Sequence, residues 1–181
     1  IRDSATTPST QAHGDSAATG SAIEAARVDH KHAMPAVEGW DKVARARDAS
    51  AQTISHNTLT AIALDTEDYD TDTMHDTSTN NSRMVATTAG VYAIVASVDW
   101  AGNATDFRKA DLRLSGTTTI ASCRFDSPGT GNIVQVVSTQ YKMNATDYVE
   151  LMVQQKSGGN LDSQGGNEYR PFLAMAKVGT G

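Results

Sequence analysis

The sequence has few cysteines, few aromatic residues and no excess of basic residues. Among its 181 residues Cys123 is the single cysteine, which excludes an internal disulfide framework. We interpret Cys123 as a small apolar strand residue. The chain carries 15 Lys and Arg against 21 Asp and Glu, a formal net charge of −6, which argues against a nucleic-acid-binding surface. Aromatic residues make up only 6%, and this balance suits a β-rich structural protein better than a helical enzyme.

Long hydrophobic runs are also missing. No stretch approaches the roughly 18 apolar residues that a membrane-spanning helix needs, so we expect no membrane insertion. The first residues, Ile1-Arg2-Asp3, include neither an initiator Met nor the shape of a signal peptide. We therefore expect that the chain was trimmed or processed, or that further residues precede Ile1.

Catalytic motifs are absent as well. The chain has no Gly-x-Ser-x-Gly, no His-Glu-x-x-His and no phosphate-binding loop, so we predict that it is not an enzyme and requires no cofactor. A glycoside-hydrolysing carboxylate pair stays open as an alternative, because the separation of two carboxylates is a structural quantity. The lack of internal repeats argues against the long β-helix of a depolymerase.

The clearest positive signal is the strand predicted at 90–100, Gly-Val-Tyr-Ala-Ile-Val-Ala-Ser-Val-Asp-Trp. It is rich in β-branched and aromatic residues and is bounded by glycine-marked turns. Both faces are apolar over most of its length, because side chains alternate at period two. Such a strand needs cover on two sides, and one domain core supplies only one of them.

Two regions differ in character. Residues 1–52 are interpreted as an extended arm with a short helix near 22–28, and the helix is predicted from the capping-box spacing of Ser21 and Glu24. Within this arm, 36–52 is interpreted as a connector. Residues 53–181 contain seven or eight short strands separated by turn signals, which predicts an all-β antiparallel sandwich. Among these strands a hairpin is predicted to turn at Gly116, between 111–114 and 120–125, and another strand is predicted at 133–143. Long loops are predicted at 65–82 and 156–167.

Residues 53–181, called the head from here on, resemble a known family. Gly90-Val91-Tyr92, Leu112-Arg113-Leu114-Ser115-Gly116, the stretch 144–151 (Asn-Ala-Thr-Asp-Tyr-Val-Glu-Leu) and the closing Tyr169-Arg170-Pro171-Phe172 are similar to the jelly-roll head shared by complement C1q and the tumour necrosis factors. The stretches 69–76 and 79–83 resemble bacteriophage versions of this head. No collagen-like Gly-X-Y stalk precedes it, unlike in complement relatives.

A second resemblance lies in the arm. Residues 14–32 resemble the segment G-x-A-x-x-G-x-x-x-x-A-A-R-x-D-H-x-H that recurs in phage tail-fibre and virion proteins, and they agree with it position by position from Gly20 to His32. This resemblance implies a homotrimeric virion protein located on the particle surface. It further implies that residues 1–35 anchor the chain to a capsid or tail protein, while the head contacts a host cell-surface glycan or protein.

Candidate site residues follow from the trimeric resemblance. The second apolar face of the central strand would meet neighbouring subunits, so the expected interface comprises Val91, Tyr92, Ala93, Val95 and Phe172. Ligand contacts are expected first in the glycine-marked loop, at Ser157, Gly158, Asn160, Asp162, Gln164 and Asn167. The loops 102–106 and 127–132 are further candidates.

Two metal hypotheses are weighed against plainer interpretations. His30 and His32 point the same way on an extended strand, so a trimer would present six imidazoles to one transition metal. The alternative is a solvated or packed histidine pair. Asp68, Asp70 and Asp72 stand at positions 1, 3 and 5 of a calcium-loop pattern, but position 6 is Thr73 and position 12 is Thr79, so an EF-hand fails. An acidic loop capped by its own Asx turns is preferred to a looser calcium site.

Two further functions stay open at this point. The protein would be a purely stabilising capsid decoration or trimerisation protein if its head has no ligand. It would be a secreted bacterial C1q-like binding module if an export signal precedes Ile1.

Overall fold

The computed structural model describes residues 42–127, 129–165 and 171–181. These residues form twelve β-strands, and every pairing between them is antiparallel. The strands are β1 Val43–Arg47, β2 Gln52–Ile54, β3 Thr60–Ala61, β4 Thr66–Asp70, β5 Arg83–Val85, β6 Gly90–Trp100, β7 Phe107–Leu114, β8 Thr118–Asp126, β9 Ile133–Met143, β10 Tyr148–Gln155, β11 Leu161–Ser163 and β12 Phe172–Gly179. Within these ranges no helix is long and apolar enough to cross a bilayer. The all-β prediction is confirmed.

The strands form two sheets that pack face to face. Sheet A contains seven strands, in which β6 pairs with β9 on one side and with β12 and β11 on the other, and β1 and β4 follow beyond β12. Sheet B contains five strands in the order β3-β10-β7-β8, with β5 also paired to β10. Each sheet therefore has one face toward the shared core and one outer face.

The predicted central strand is β6, with the predicted bounds. It pairs along its whole length with β9, from Gly90 opposite Met143 to Trp100 opposite Ile133. Alternate side chains enter the core, where Tyr92 and Trp100 are fully buried. The Trp100 Nε1–H donates to Gln135 Oε1 at 3.0 Å, so the polar atom of the largest core side chain is satisfied.

The predicted hairpin around Gly116 is also present. β7 and β8 pair from Phe107 opposite Asp126 to Leu114 opposite Thr118. The turn places Ser115 at φ 47° and Gly116 at φ 76°. Glycine adopts this left-handed conformation without the steric cost that a Cβ brings, which explains the turn's position in the sequence.

Three strands were not predicted from the sequence. Val43–Arg47, interpreted as connector, is β1 and lies between β12 and β4 in sheet A. Thr66–Asp70 and Leu161–Ser163, interpreted as loop, are β4 and β11. All three are short and rich in small or polar residues, so their alternation was too weak to recognise from the sequence. The helix predicted near 22–28 lies outside the described residues.

Candidate subunit interface

The outer face of sheet A carries most of the side chains that the sequence assigned to subunit contact. Along β6 the residues Val91, Ala93 and Val95 point away from the core and are half-buried, while their neighbours in the strand are buried. On β12, Ala174 lies opposite Val95 and Ala176 opposite Ala93. The two strands thus place small apolar side chains side by side across the middle of the sheet.

A shallow trough of about 570 Å³ has its floor at Ala93, Val95, Ala174 and Ala176. Val43 on β1 closes one side, and Ser138 and Gln140 on β9 close the other. Only small residues leave such a depression in an otherwise continuous sheet surface. A trough with an apolar floor is typical of a surface that contacts another protein.

Larger apolar side chains rise at the two edges of this face. Tyr69 on β4 is 48% exposed and lies opposite Arg45, while Val134 and Val136 on β9 are 53% and 54% exposed. These three residues are among the few large apolar side chains that are exposed in the described ranges. The face therefore combines a concave centre with convex edges.

Phe172 lies on this face, in register with Ser97 of β6 and Arg47 of β1. The Arg45 guanidinium carbon stands 4.4 Å from the centre of the Phe172 ring. Arg47 Nε donates to Asp68 Oδ1 at 2.6 Å, and Arg45 Nη1 lies 3.4 Å from Asp68 Oδ2. One end of the trough is thus bordered by a fixed aromatic and charged group rather than by loose side chains.

Tyr92 does not belong to this face. Its side chain is fully buried in the protomer's own core, and its hydroxyl donates to the carbonyl of Thr88 at 2.7 Å. Burial raises the pKa of this phenol, which keeps the hydroxyl protonated as a donor. The assignment of Tyr92 to subunit contact is therefore wrong, because alternation along β6 sends it inward.

A second polar group in β6 stands apart. Asp99 lies four residues after Val95 and therefore on the same outer face of β6, opposite Val134 of β9. It is nevertheless only 2% exposed. Neither of its carboxylate oxygens has a hydrogen-bond partner. Burial raises the pKa of this carboxyl, since nothing in the described ranges compensates the charged form.

The three carboxylates of the calcium hypothesis are engaged by other groups. Asp68 binds the two arginines of β1. Asp70 accepts the backbone N–H groups of Asp72 and His75 at 3.0 and 2.8 Å. Lys42 Nζ donates to Asp72 Oδ2 at 2.8 Å and holds the pKa of that carboxyl below its ordinary value. No group of three suitable side chains that could hold an ion occurs among residues 42–127, 129–165 and 171–181.

The glycine-marked loop is more ordered by internal contacts than the sequence suggested. Ser157 is buried, and its N–H donates to Gln155 Oε1 at 2.6 Å. Asp162 is part of β11 and accepts a hydrogen bond from the Thr53 hydroxyl at 2.6 Å, while the Gln164 N–H donates to the Asp99 carbonyl at 2.6 Å. Gly158 and Asn160 are exposed. Ser157 is therefore a structural residue of the turn rather than a contact residue.

Three of the predicted site residues lie outside the described ranges. His30 and His32 of the proposed metal pair and Asn167 of the loop belong to this group. Conversely, the exposed side chains of Tyr69, Val134 and Val136 were not predicted from the sequence. The two valines could have been predicted. Apolar residues occupy both odd and even positions at the start of Ile133–Met143, which indicates apolar side chains on both faces of that strand.

Comparison with known proteins agrees with this architecture. The sequence matches no protein-family model and no curated relative. The structure, however, is similar to Eiger TNF from S. frugiperda, with a TM-score of 0.58 and 14% identity over 77% of this chain and 94% of that one. The head is a C1q/TNF-like jelly roll.

Further structures support this assignment of the fold. Murine APRIL gives a TM-score of 0.57 at 11% identity, covering 76% of this chain and 100% of that chain. The globular domain of zebrafish complement 1qA gives 0.52 at 13% identity, covering 78% and 99%. These similarities confirm the predicted jelly-roll fold.

Proposed function

We propose that this protein is a homotrimeric structural protein of a bacteriophage virion, a fibre or decoration spike whose C1q/TNF-like head binds the host surface. The observation that carries the proposal is the outer face of sheet A, with its apolar trough and exposed edge valines. The phage assignment and the anchoring of residues 1–35 to a capsid or tail protein rest on the sequence resemblances.

The shape of sheet A supports a closed ring. In a cyclic trimer each protomer offers one part of its surface to one neighbour and a different part to the other. The trough lined by Ala93, Ala174 and Ala176 is a concave surface, and the rim valines Val134 and Val136 form a convex one. Burying exposed valines contributes about 25 cal/mol per Å² of apolar surface removed from water.

The proposed role is binding rather than catalysis. The sequence contains no Gly-x-Ser-x-Gly, no His-Glu-x-x-His and no phosphate-binding loop, and the resemblance to virion proteins implies attachment. Three copies of each head site give avidity, so that weak single contacts with a repetitive cell surface become effective together.

The assembly is tested with the complete chain and the variant Val95→Asp. Val95 faces away from the core, so we expect this variant to remain folded and to run as a monomer, whereas the unaltered chain should have the mass of a trimer in light scattering. Thr119→Asp, at an exposed position of sheet B, is the matched control and should remain trimeric. A monomeric mass for the unaltered chain, or a stable trimer of Val95→Asp, contradicts the proposal.

The biological role is tested separately. A density map of intact particles should show three copies of the head at each site on the particle surface, with the arm in contact with a capsid or tail protein. Labelled trimer should bind host cells. Trimers that occur on the particle but bind no cells would indicate a stabilising decoration protein instead.

The metal at His30 and His32 remains a proposal with a direct test. Elemental analysis of the purified trimer should show about one transition-metal ion per three chains. The variant His30→Ala/His32→Ala should lose that ion and remain trimeric, because it leaves every residue of the proposed sheet A interface unaltered. Absence of iron, nickel and zinc from the unaltered protein contradicts this proposal.

A further inference from the structure

A second concavity lies on the other side of the sandwich, at one end of sheet B. It encloses about 570 Å³ between the β4–β5 connection, β5 and the start of β10. Arg83 pairs with Glu150 and Val85 with Tyr148, so all four side chains share the outer face of sheet B. Assembly through sheet A would leave this concavity open to solvent.

Three residues around the concavity have unusual backbone conformations. Thr73 has φ 55°, Asn80 has φ 52° and Thr146 has φ 74°. Positive φ is tolerated by asparagine but is an outlier for a β-branched residue such as threonine. Such conformations cost free energy and occur preferentially at binding sites.

Hydrogen bonds hold these loops in place. The Asp70 carboxylate accepts two backbone N–H groups on either side of Thr73, as described above. The buried His75 ring lies 3.0 Å from Glu67 Oε1 through Nδ1 and 3.0 Å from the Asn81 carbonyl through Nε2. The Thr146 N–H donates to the Ala86 carbonyl at 2.8 Å. The walls of the concavity are therefore preorganised, which reduces the entropy lost when a ligand binds.

The side chains that these loops present are polar and uncommitted. Thr73, Asn80 and Thr146 are exposed, and their side chains form no hydrogen bond with any other residue of the described ranges. Two hydroxyls and one amide offer both donors and acceptors around one space. Val85 and Tyr148 also line the concavity and add apolar surface, although the Arg83 guanidinium covers part of the Tyr148 ring.

Charge at this site is balanced. The Arg83 guanidinium carbon lies 4.2 Å from the centre of the Tyr148 ring, and its Nε lies 3.4 Å from Glu150 Oε1. Asp76 stands on the same rim, where its carboxylate caps the N–H groups of Ser78 and Thr79. One cation with two carboxylates nearby does not favour an anionic ligand.

We propose that this concavity binds one saccharide unit of a neutral host glycan. A polyhydroxylated ring both donates and accepts hydrogen bonds, which matches the hydroxyl and amide groups of Thr73, Asn80 and Thr146, and its C–H face matches the apolar surface that Val85 contributes to the lining. The inference rests on the proposed host-binding function and names the ligand class and the site. It places this contact in a region other than the glycine-marked loop at 157–167.

The experiment uses the complete trimer and a matched pair of variants. Asn80→Gly and Asn57→Gly replace asparagines at nearly equal φ, 52° and 54°, but only Asn80 lines the concavity. The probes are methyl glycosides of glucose, galactose and N-acetylglucosamine, measured by saturation-transfer NMR, followed by an array of neutral oligosaccharides. Loss of one or two hydrogen bonds corresponds to roughly tenfold weaker binding for Asn80→Gly, and Asn57→Gly should bind like the unaltered protein.

The variant Thr146→Gly separates loss of the binding site from a general loss of stability. Glycine relieves the positive φ, so this variant should melt at a higher temperature while binding the same saccharide more weakly. Equal binding by the unaltered protein, Asn80→Gly and Thr146→Gly overturns the site, and absence of saccharide binding overturns the ligand class. Trimers that attach to cells while binding no saccharide would leave the proposed function intact, so the two failures are distinguishable.

Discussion

At the scale of single residues, two buried aspartates on adjacent sheets differ in how their charges are satisfied. Asp111 on β7 binds Lys109 Nζ at 2.5 Å and accepts the Ser122 hydroxyl at 2.6 Å. Asp99 on β6 is equally inaccessible but has no partner for either oxygen. A buried carboxylate without hydrogen bonds opposes folding, because water solvates it better in the unfolded chain.

We expect Asp99→Asn to stabilise the head at neutral pH by about 1–2 kcal/mol, since it removes an uncompensated buried charge. The pKa of Asp99 is raised in the folded state, so the folded head binds this proton more tightly than the unfolded chain does. The unfolding free energy should therefore decrease as the pH rises from the ordinary value of 3.8 through the raised pKa, and then level off. The advantage of Asp99→Asn should vanish at pH values below 3.8.

Chemical denaturation of both proteins across this pH range measures the effect. Asp111→Asn is the control. It should destabilise the head, because it removes a carboxylate charge that Lys109 and Ser122 stabilise. A lower unfolding free energy for Asp99→Asn at neutral pH would show that the carboxylate has a partner in the assembled protein.

At the scale of the element, β1 determines where the head begins. Ala44 and Ala46 point into the core, and the strand pairs with β12 on one side and β4 on the other. Without β1 both of these strands would lose a backbone partner, and buried backbone groups left without hydrogen bonds are costly.

We therefore expect a chain that starts at Gly39 to fold and a chain that starts at the predicted boundary, residue 53, to fail. The residues from Gly39 to Gly181 form one compact unit of the chain. Circular dichroism and thermal melting of the two truncated proteins provide the measurement. A cooperative transition for 53–181 with the melting temperature of 39–181 would contradict this role of β1.

The long strands could be predicted from the sequence because their signals are strong and local. Gly90–Trp100 and Ile133–Met143 have many β-branched residues and clear turns at both ends, and their bounds were predicted correctly. β1 and β4 could not be predicted, because Val43–Arg47 alternates alanine with arginine and Thr66–Asp70 is largely acidic. These two strands depend on partners that are distant in the sequence.

The candidate site, too, could be predicted only in part. Alternation indicated that Val91, Ala93 and Val95 share a face, but it did not decide which face of β6 enters the core, so Tyr92 was misassigned. The concavity on sheet B was not predicted, since it joins Thr73, Asn80 and Thr146 from two loops. Positive φ angles at threonine leave no recognisable sequence signal.

At the scale of the whole molecule, the proposed trimer couples folding to association. A protein whose native state includes three chains gains stability as concentration rises, by mass action. We expect the melting temperature of the unaltered chain to increase over a hundredfold range of concentration. The folded Val95→Asp monomer should melt at one temperature throughout that range, and a concentration-independent transition of the unaltered chain would contradict the coupling.

The long edge strand β9 has a consequence for the protomer before it assembles. Among the described strands β9 pairs with β6 alone, so no described strand covers its second edge over these eleven residues, beside the exposed Val134 and Val136. Long apolar edges of this kind are templates for aggregation. An unassembled head is therefore a hazard during synthesis, and prompt association with two further copies would protect the cell that makes it from insoluble deposits.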